Sequence, residues 1–245
     1  MSDAQPGDPK PKRTAKPDPS SPGQAIKPEH IRRWGPIWSR RVGWVLDHIW
    51  WNTKVHGTEH VPSTGPVVVA SNHTGVIDGP LLHGAIPRGS HFIIKQEFWD
   101  TPLGFLMTLA GQIPVDRRHG RAALVVAQKM LSEGRVVGIF PEGNRGAGGV
   151  QSTRAGAAWL AVHGGAPVVP VACLGTRPTG KKLGYVPSPR ARLHVVFGKP
   201  IVIDTERGAG GNREVMARAV EQIQQGLAAH VEDAVRLTGV PLPTD

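Results

Sequence analysis

His73 and Asp78 stand with four residues between them in the run Ser71-Asn72-His73-Thr74-Gly75-Val76-Ile77-Asp78-Gly79-Pro80. One of the four is Gly, so the chain can fold the carboxylate back onto the imidazole. A His held by a carboxylate through one ring nitrogen can act as a base through the other. The plainer alternative is an Asp that caps a helix beside a packed loop His. Two residues alone are a weak motif. A second block, Gly111-Gln112-Ile113-Pro114-Val115-Asp116-Arg117-Arg118, ends a short strand in a basic pair. Arg117 could turn its planar fork to a phosphate, or the pair could simply be solvated. A third, Phe140-Pro141-Glu142-Gly143-Asn144-Arg145-Gly146, follows Val136-Val137-Gly138-Ile139. Its Pro and Gly fix a sharp exit and let backbone come close to a ligand. Glu142 and Arg145 are equally compatible with a turn carrying a surface ion pair. A fourth, Val168-Val169-Pro170-Val171, reads as strand core.

Those blocks need a frame. Apolar runs predict strands at 66–71, 91–95, 112–115, 136–140, 167–173 and 191–202, the last in one or two pieces. Helical spacing predicts helices at 78–86, 102–110, 120–133 and 153–164, and a final one at 212–237. Strands alternating with helices imply a largely parallel sheet covered on both faces. In such sheets, sites collect at the carboxyl ends of the strands, where the first and third blocks fall. Arg207-Gly208-Ala209-Gly210-Gly211 reads as a flexible loop.

The amino end differs. Residues 1–28 hold seven prolines and almost no large apolar side chain, and are expected to be disordered. Residues 29–54 form the next unit. Trp34, Ile37, Trp38, Val42, Val45, Leu46 and Ile49 recur at helical spacing, with Arg32, Arg33, Arg40 and Arg41 between them. Five of the seven Trp lie here, and Pro36 is expected to kink or divide the element. Charges every few residues leave no run of about 20 apolar residues. Trp and Arg together suit the lipid headgroup zone, so the segment reads as an amphipathic membrane-interface helix. The alternative is a helix packed on its own domain. Residues 55–245 make the third unit.

Composition narrows the class. Lys and Arg number 29 against 19 Asp and Glu, a net charge of +10, which suggests an acidic partner. No helix-turn-helix, zinc or RNP signature argues for nucleic acid, and the Trp cluster is amphipathic rather than a stacking platform. A single cysteine excludes an intrachain disulfide framework and a Cys-based metal cluster.

In their order, the four blocks resemble those of the PlsC-like glycerolipid acyltransferases, the 1-acylglycerol-3-phosphate (lysophosphatidic acid) acyltransferase family. Asn72, His73 and Asp78 match its Asn-His-x4-Asp. Gly111, Ile113, Asp116 and Arg117 match its Gly-x-Ile-x-x-Asp-Arg. Phe140, Pro141, Glu142, Gly143 and Arg145 match its Phe-Pro-Glu-Gly-Thr-Arg, and Val169, Pro170 and Val171 its Val-Pro-Val. Lys95-Gln96-Glu97 and Pro102-Leu103-Gly104 fit between the first two. The resemblance spans about residues 55–205, and Asn144 departs from it by replacing Thr.

The resemblance implies a glycerol-3-phosphate acyltransferase-like α/β fold: a mixed, largely parallel sheet flanked by helices, here preceded by the amphipathic helical segment. It implies His73 as general base, oriented by Asp78, acting on an acceptor hydroxyl that attacks the thioester of acyl-CoA or acyl carrier protein. The acceptor is a lysophospholipid, and the product phosphatidic acid. No covalent enzyme intermediate is needed, and Cys173 in its strand run reads as a small core hydrophobe. Arg117 and Arg145 would bind the acceptor phosphate, with Gly143 admitting backbone and Lys95 and Asn144 adding contacts. Glu142 would hold an Arg or the acceptor hydroxyl. Backbone N–H groups near Gly75 and the helix start at Asp78 are candidates for stabilising the oxyanion. No cofactor or metal is expected. The expected location is the cytoplasmic face of a membrane, peripheral or monotopic, with no nucleic-acid partner; oligomeric state is not read. The basic segment 177–192, with Arg177, Lys181, Lys182, Arg190 and Arg192, leaves open another acceptor, such as glycerol 3-phosphate or a glycolipid precursor. A hydrolase using the same pair is a further alternative.

Overall fold

The computed structural model describes residues 26–116, 120–151, 153–206 and 211–245. The tail expected to be disordered lies almost wholly outside the described residues, as does Arg117. Seven strands form one sheet: β1 (Asn52–His56), β2 (Val67–Ser71), β3 (Ser90–Lys95), β4 (Ile113–Val115), β5 (Val136–Ile139), β6 (Val168–Leu174) and β7 (Arg192–Phe197). Their order is β1-β7-β6-β2-β5-β3-β4. Strands β6, β2, β5, β3 and β4 run parallel. β7 is antiparallel to β6, and β1 follows β7, so this edge is reversed.

The helices are α1 (Gly35–Val45), α2 (Asp78–Ala85), α3 (Gly104–Leu109), α4 (Gly120–Ser132), α5 (Gly156–Gly164) and α6 (Gly211–Thr238). Two apolar layers enclose the sheet. On one face Val68, Ala70 and Val137 pack with Ala127 and Met130 of α4, Leu160 of α5 and Ile223 and Leu227 of α6. On the other, Val67, Val69 and Val171 pack with Leu81 and Leu82 of α2 and with Trp51. Every residue of β2 and β6 is buried, as expected of strands covered on both sides.

The amino-terminal segment departs from expectation in two ways. Pro36 neither kinks nor divides the helix; it stands at its first turn, where a missing N–H costs nothing. The helix closes in a π-helical turn, Leu46–Trp50, and the chain is already strand from Asn52, inside the segment expected to be helical through 54. Most of the apolar stripe faces outward, while Trp38 and Leu46 are half-buried against the protein. Gly35, Ser39, Gly43 and Asp47 are buried at a spacing of four, with Pro36 buried beside the first, while Trp34, Ile37, Val42, Trp44, Val45, Ile49 and Trp50 are all 44–63% exposed. Gly43 crosses α2 so closely that an added β-carbon would meet the Gly84 Cα at 2.8 Å. Small residues at a helix contact, with large apolar ones turned away, is how helices pack in lipid surroundings. No helix among the described residues is long and apolar enough to cross a membrane.

Candidate active site

β2 delivers His73 to the carboxyl edge of the sheet, and Asp78 opens α2 five positions later. The turn between them closes as the spacing suggested. His73 Nδ1–H donates to Asp78 Oδ2 at 2.9 Å. The N–H groups of Thr74 and Gly75 donate to the same oxygen at 2.7 and 2.8 Å. Three donors therefore converge on one carboxylate oxygen of a fully buried Asp. With Nδ1 engaged, Nε2 is the nitrogen left to take a proton, and the imidazole side chain is 16% exposed.

This arrangement corrects the expectation for the oxyanion. The Gly75 N–H is committed to Asp78, and the Asp78 N–H to the Gly75 carbonyl at 3.4 Å. Those amides hold the Asp78 loop together instead of facing a ligand.

β5 supplies the opposing wall. Phe140 stacks on His73, with ring centroids 4.1 Å apart and planes 20° from parallel. Phe92 supports Phe140 at 5.9 Å and occupies the space a side chain at Gly138 would need. The His73 ring is thus held at its face by Phe140 and at its edge by Asp78. Glu142 Oε1 accepts the backbone N–H of His73 at 3.1 Å, and the Gly146 N–H donates to the His73 carbonyl at 2.9 Å. Burial pushes the Glu142 carboxyl up, opposed by the His73 N–H and reinforced by the charge of Asp78.

The other expected residues are distributed unevenly. Gly143 turns the chain with a φ of +73°, and the Arg154 side chain fills the space beside it. Arg145 and Asn144 are exposed on the same loop. Lys95 Nζ, from the end of β3, donates to Asn144 Oδ1 at 2.8 Å. The departure from the family pattern therefore carries a specific contact, joining the end of β3 to the loop after β5. Arg145 and Lys95 sit on segments that leave neighbouring strands β5 and β3 at the same sheet edge as His73.

Sequence reasoning assigned no physical role to Asn72. Its side chain mimics a strand: Nδ2 donates to the Cys173 carbonyl at 3.2 Å, and Oδ1 accepts the Cys173 N–H at 2.8 Å. It thereby extends the β2–β6 pairing by one step beyond Ser71 and fixes the exit of the His73 loop. Cys173 itself is fully buried and its thiol is raised well above the ordinary range by burial, consistent with a core hydrophobe and not a nucleophile. Arg154 and Thr176, whose hydroxyl meets that of Thr74 at 2.8 Å, also border the site. No local pattern marks either one.

Arg177 differs from its reading as part of a basic, ligand-facing segment. It is 4% exposed, and its guanidinium is consumed by contacts within the protein.

Comparison with known proteins bears on the family and the fold. The Acyltransferase family pattern matches residues 52–174. A 1-acyl-sn-glycerol-3-phosphate acyltransferase of Bacillus subtilis is 32% identical over 151 residues, which cover 60% of this chain and 73% of that protein. The human 1-acyl-sn-glycerol-3-phosphate acyltransferase alpha is 37% identical over 124 residues, 48% of this chain but only 44% of its own length. The crystal structure of the 1-acyl-sn-glycerophosphate (LPA) acyltransferase PlsC from Thermotoga maritima superposes with a TM-score of 0.58 at 24% identity, covering 79% of this chain and 80% of that one. It shares the fold described above.

Proposed function

The chain belongs to the acyltransferase family, and on that premise we propose that it moves a fatty acyl group from a thioester donor to the free hydroxyl of 1-acylglycerol 3-phosphate, giving phosphatidic acid. The His73–Asp78 pair at the carboxyl edge of the parallel strands carries this reading. Nε2 of His73 takes the acceptor's hydroxyl proton as that oxygen attacks the thioester carbonyl. The tetrahedral intermediate collapses, the C–S bond breaks, and the imidazolium returns its proton to the leaving thiolate. Asp78, already bound to Nδ1–H, stabilises the imidazolium without itself being protonated. General-base action of this kind contributes on the order of 10²–10⁴ in rate.

Arg145, the Lys95–Asn144 pair and Arg117 are the cations and polar groups proposed to receive the acceptor phosphate. The donor is a thioester of coenzyme A or acyl carrier protein; both are acidic and suit a chain of net charge +10. The outward apolar stripe of α1 supports docking on a membrane surface, where the lipid acceptor and product reside. The reading puts that surface on the cytoplasmic side, with the thioester donors.

The test is acyl transfer by purified protein with palmitoyl- and oleoyl-CoA or the carrier-protein thioester, with and without 1-acylglycerol 3-phosphate. Thiol release and lipid product are followed together. His73→Ala should lower turnover by about 10²–10⁴ while the protein stays folded; unchanged turnover would reject the base assignment. Asn144 in place of Thr favours one second reading, a different phosphorylated acceptor. Preference for glycerol 3-phosphate or another lysophospholipid in an acceptor panel would establish it. Thiol release without any acceptor would indicate a hydrolase.

A further inference from the structure

Arg177 lies just past the end of β6, outside the four sequence blocks. Its side chain is 2% exposed. A guanidinium has five N–H donors in a rigid fork, and here five contacts are made. Nε donates to the Thr74 carbonyl at 3.0 Å. One terminal nitrogen donates to the Lys181 carbonyl at 3.0 Å and to Asp245 Oδ1 at 2.9 Å. The other donates to the Gly146 carbonyl at 3.1 Å and to the main-chain oxygen of Asp245 at 2.9 Å.

Two of those acceptors belong to different halves of the site. Thr74 directly follows His73. Gly146 closes the loop that carries Glu142 and Arg145, and its own N–H holds the His73 carbonyl. One planar cation therefore ties the base-bearing loop and the phosphate-loop candidate to each other from behind. Thr176, its neighbour in sequence, adds the Thr74 hydroxyl to the same junction. The full use of the fork leaves Arg177 nothing to offer a ligand, and places it where a shift would move both loops together.

Resting on the function proposed above, we propose that Arg177 is a positioning residue that sets the distance between the His73 base and the loop carrying Glu142 and Arg145. Lysine cannot replace it, because a single ammonium presents a point charge with at most three donors and cannot span both carbonyls in one plane. Misplacement of reacting groups by about 1 Å can cost on the order of 10² in rate.

The experiment compares wild type, Arg177→Lys and Arg177→Ala by steady-state kinetics, by hydrogen exchange of residues 72–78 and 142–148, and by NMR titration of His73. The expected result is a folded lysine variant whose kcat falls by at least roughly tenfold, with the donor KM little changed. The kcat–pH profile should also shift, and exchange should rise in both loops. Guanidinium ion, but not sodium at equal ionic strength, should restore part of the activity of Arg177→Ala. A lysine variant with kcat and loop exchange like wild type would overturn the proposal. So would a lysine variant that fails to fold, since Arg177 would then serve the fold and not the loops. If wild type proves inactive toward every acceptor, the function fails instead; loop exchange and the His73 titration still decide whether Arg177 positions the base.

Discussion

At the residue scale, Asp47 is the group least explained by the chemistry. It is fully buried on the inner side of the π-helical turn that closes α1, and neither carboxylate oxygen has a hydrogen-bond partner among the described residues. Its Oδ2 occupies the space a side chain at Gly84 would need. Burial raises its pKa to about 8, so at neutral pH it is mostly protonated and nearly neutral in an apolar contact. The folded protein then holds a proton that the unfolded chain releases above about 4. Its stabilising contribution is complete below that value and is lost as pH rises through about 8. The loss amounts to about 1.4 kcal/mol per pH unit across the window. Asp47→Asn should remove this slope. Denaturant unfolding of the two proteins from pH 5 to 9 checks it: the variant should gain steadily on wild type up to about pH 8 and hold its lead beyond. Parallel curves would show that Asp47 is not protonated in the fold. His83 and His91 act in the opposite sense in both proteins. Burial lowers each to about 4, so their contribution is present above about 6.5 and lost on acidification through about 4.

At the element scale, α1 is built with its two faces exchanged relative to a helix of a soluble core. Gly43 and Gly84 let α1 and α2 touch backbone to backbone, which would be wasteful if burying large side chains between them were the goal. The large side chains are instead presented to the outside. Fully burying one such side chain is worth about 1.5–3 kcal/mol. The triple change Ile37→Asn, Trp44→Asn, Ile49→Asn should therefore weaken sedimentation with lipid vesicles by orders of magnitude while leaving the melting temperature near that of wild type. Gly84→Val should do the reverse: it separates the helices and destabilises the fold by about 1–3 kcal/mol. Loss of stability in the triple variant would mean that those side chains pack against the protein after all.

At the scale of the whole molecule, the net charge of +10 acts alongside that apolar face. Basic side chains near anionic lipid contribute about 1 kcal/mol each and are screened within a Debye length. Binding to vesicles containing phosphatidylglycerol should fall steeply between low and moderate salt. Binding to neutral phosphatidylcholine vesicles should be weaker and nearly independent of salt. Equal affinity for both would leave charge without a role in docking.

How much of this was legible depended on range. The residues His73 and Asp78 were readable because four intervening residues with a Gly among them make a local loop, and local geometry follows from local sequence. The strands 66–71 and 167–173 and the helix 120–133 were equally plain, since burial on one or both faces leaves an unbroken or periodic apolar pattern. Strand β1 was missed because Asn52–His56 is a short, largely polar edge strand adjoining a Trp-rich helical run. The reversal of β7 and β1 followed from connections that no residue pattern encodes. Periodicity in α1 reported that apolar residues share a side, but not whether that side meets the protein or the outside; the Gly43–Gly84 crossing decided it. Asn72 and Arg177 gained their roles only from partners about a hundred residues away, Cys173 for one and Thr74 for the other. The sequence by itself determined the His73–Asp78 pairing and the layered α/β frame. Only the tertiary structure decided which amides the carboxylate consumes, which face of α1 is offered outward, and which arginine is held inside, because each depends on contacts between segments distant along the chain.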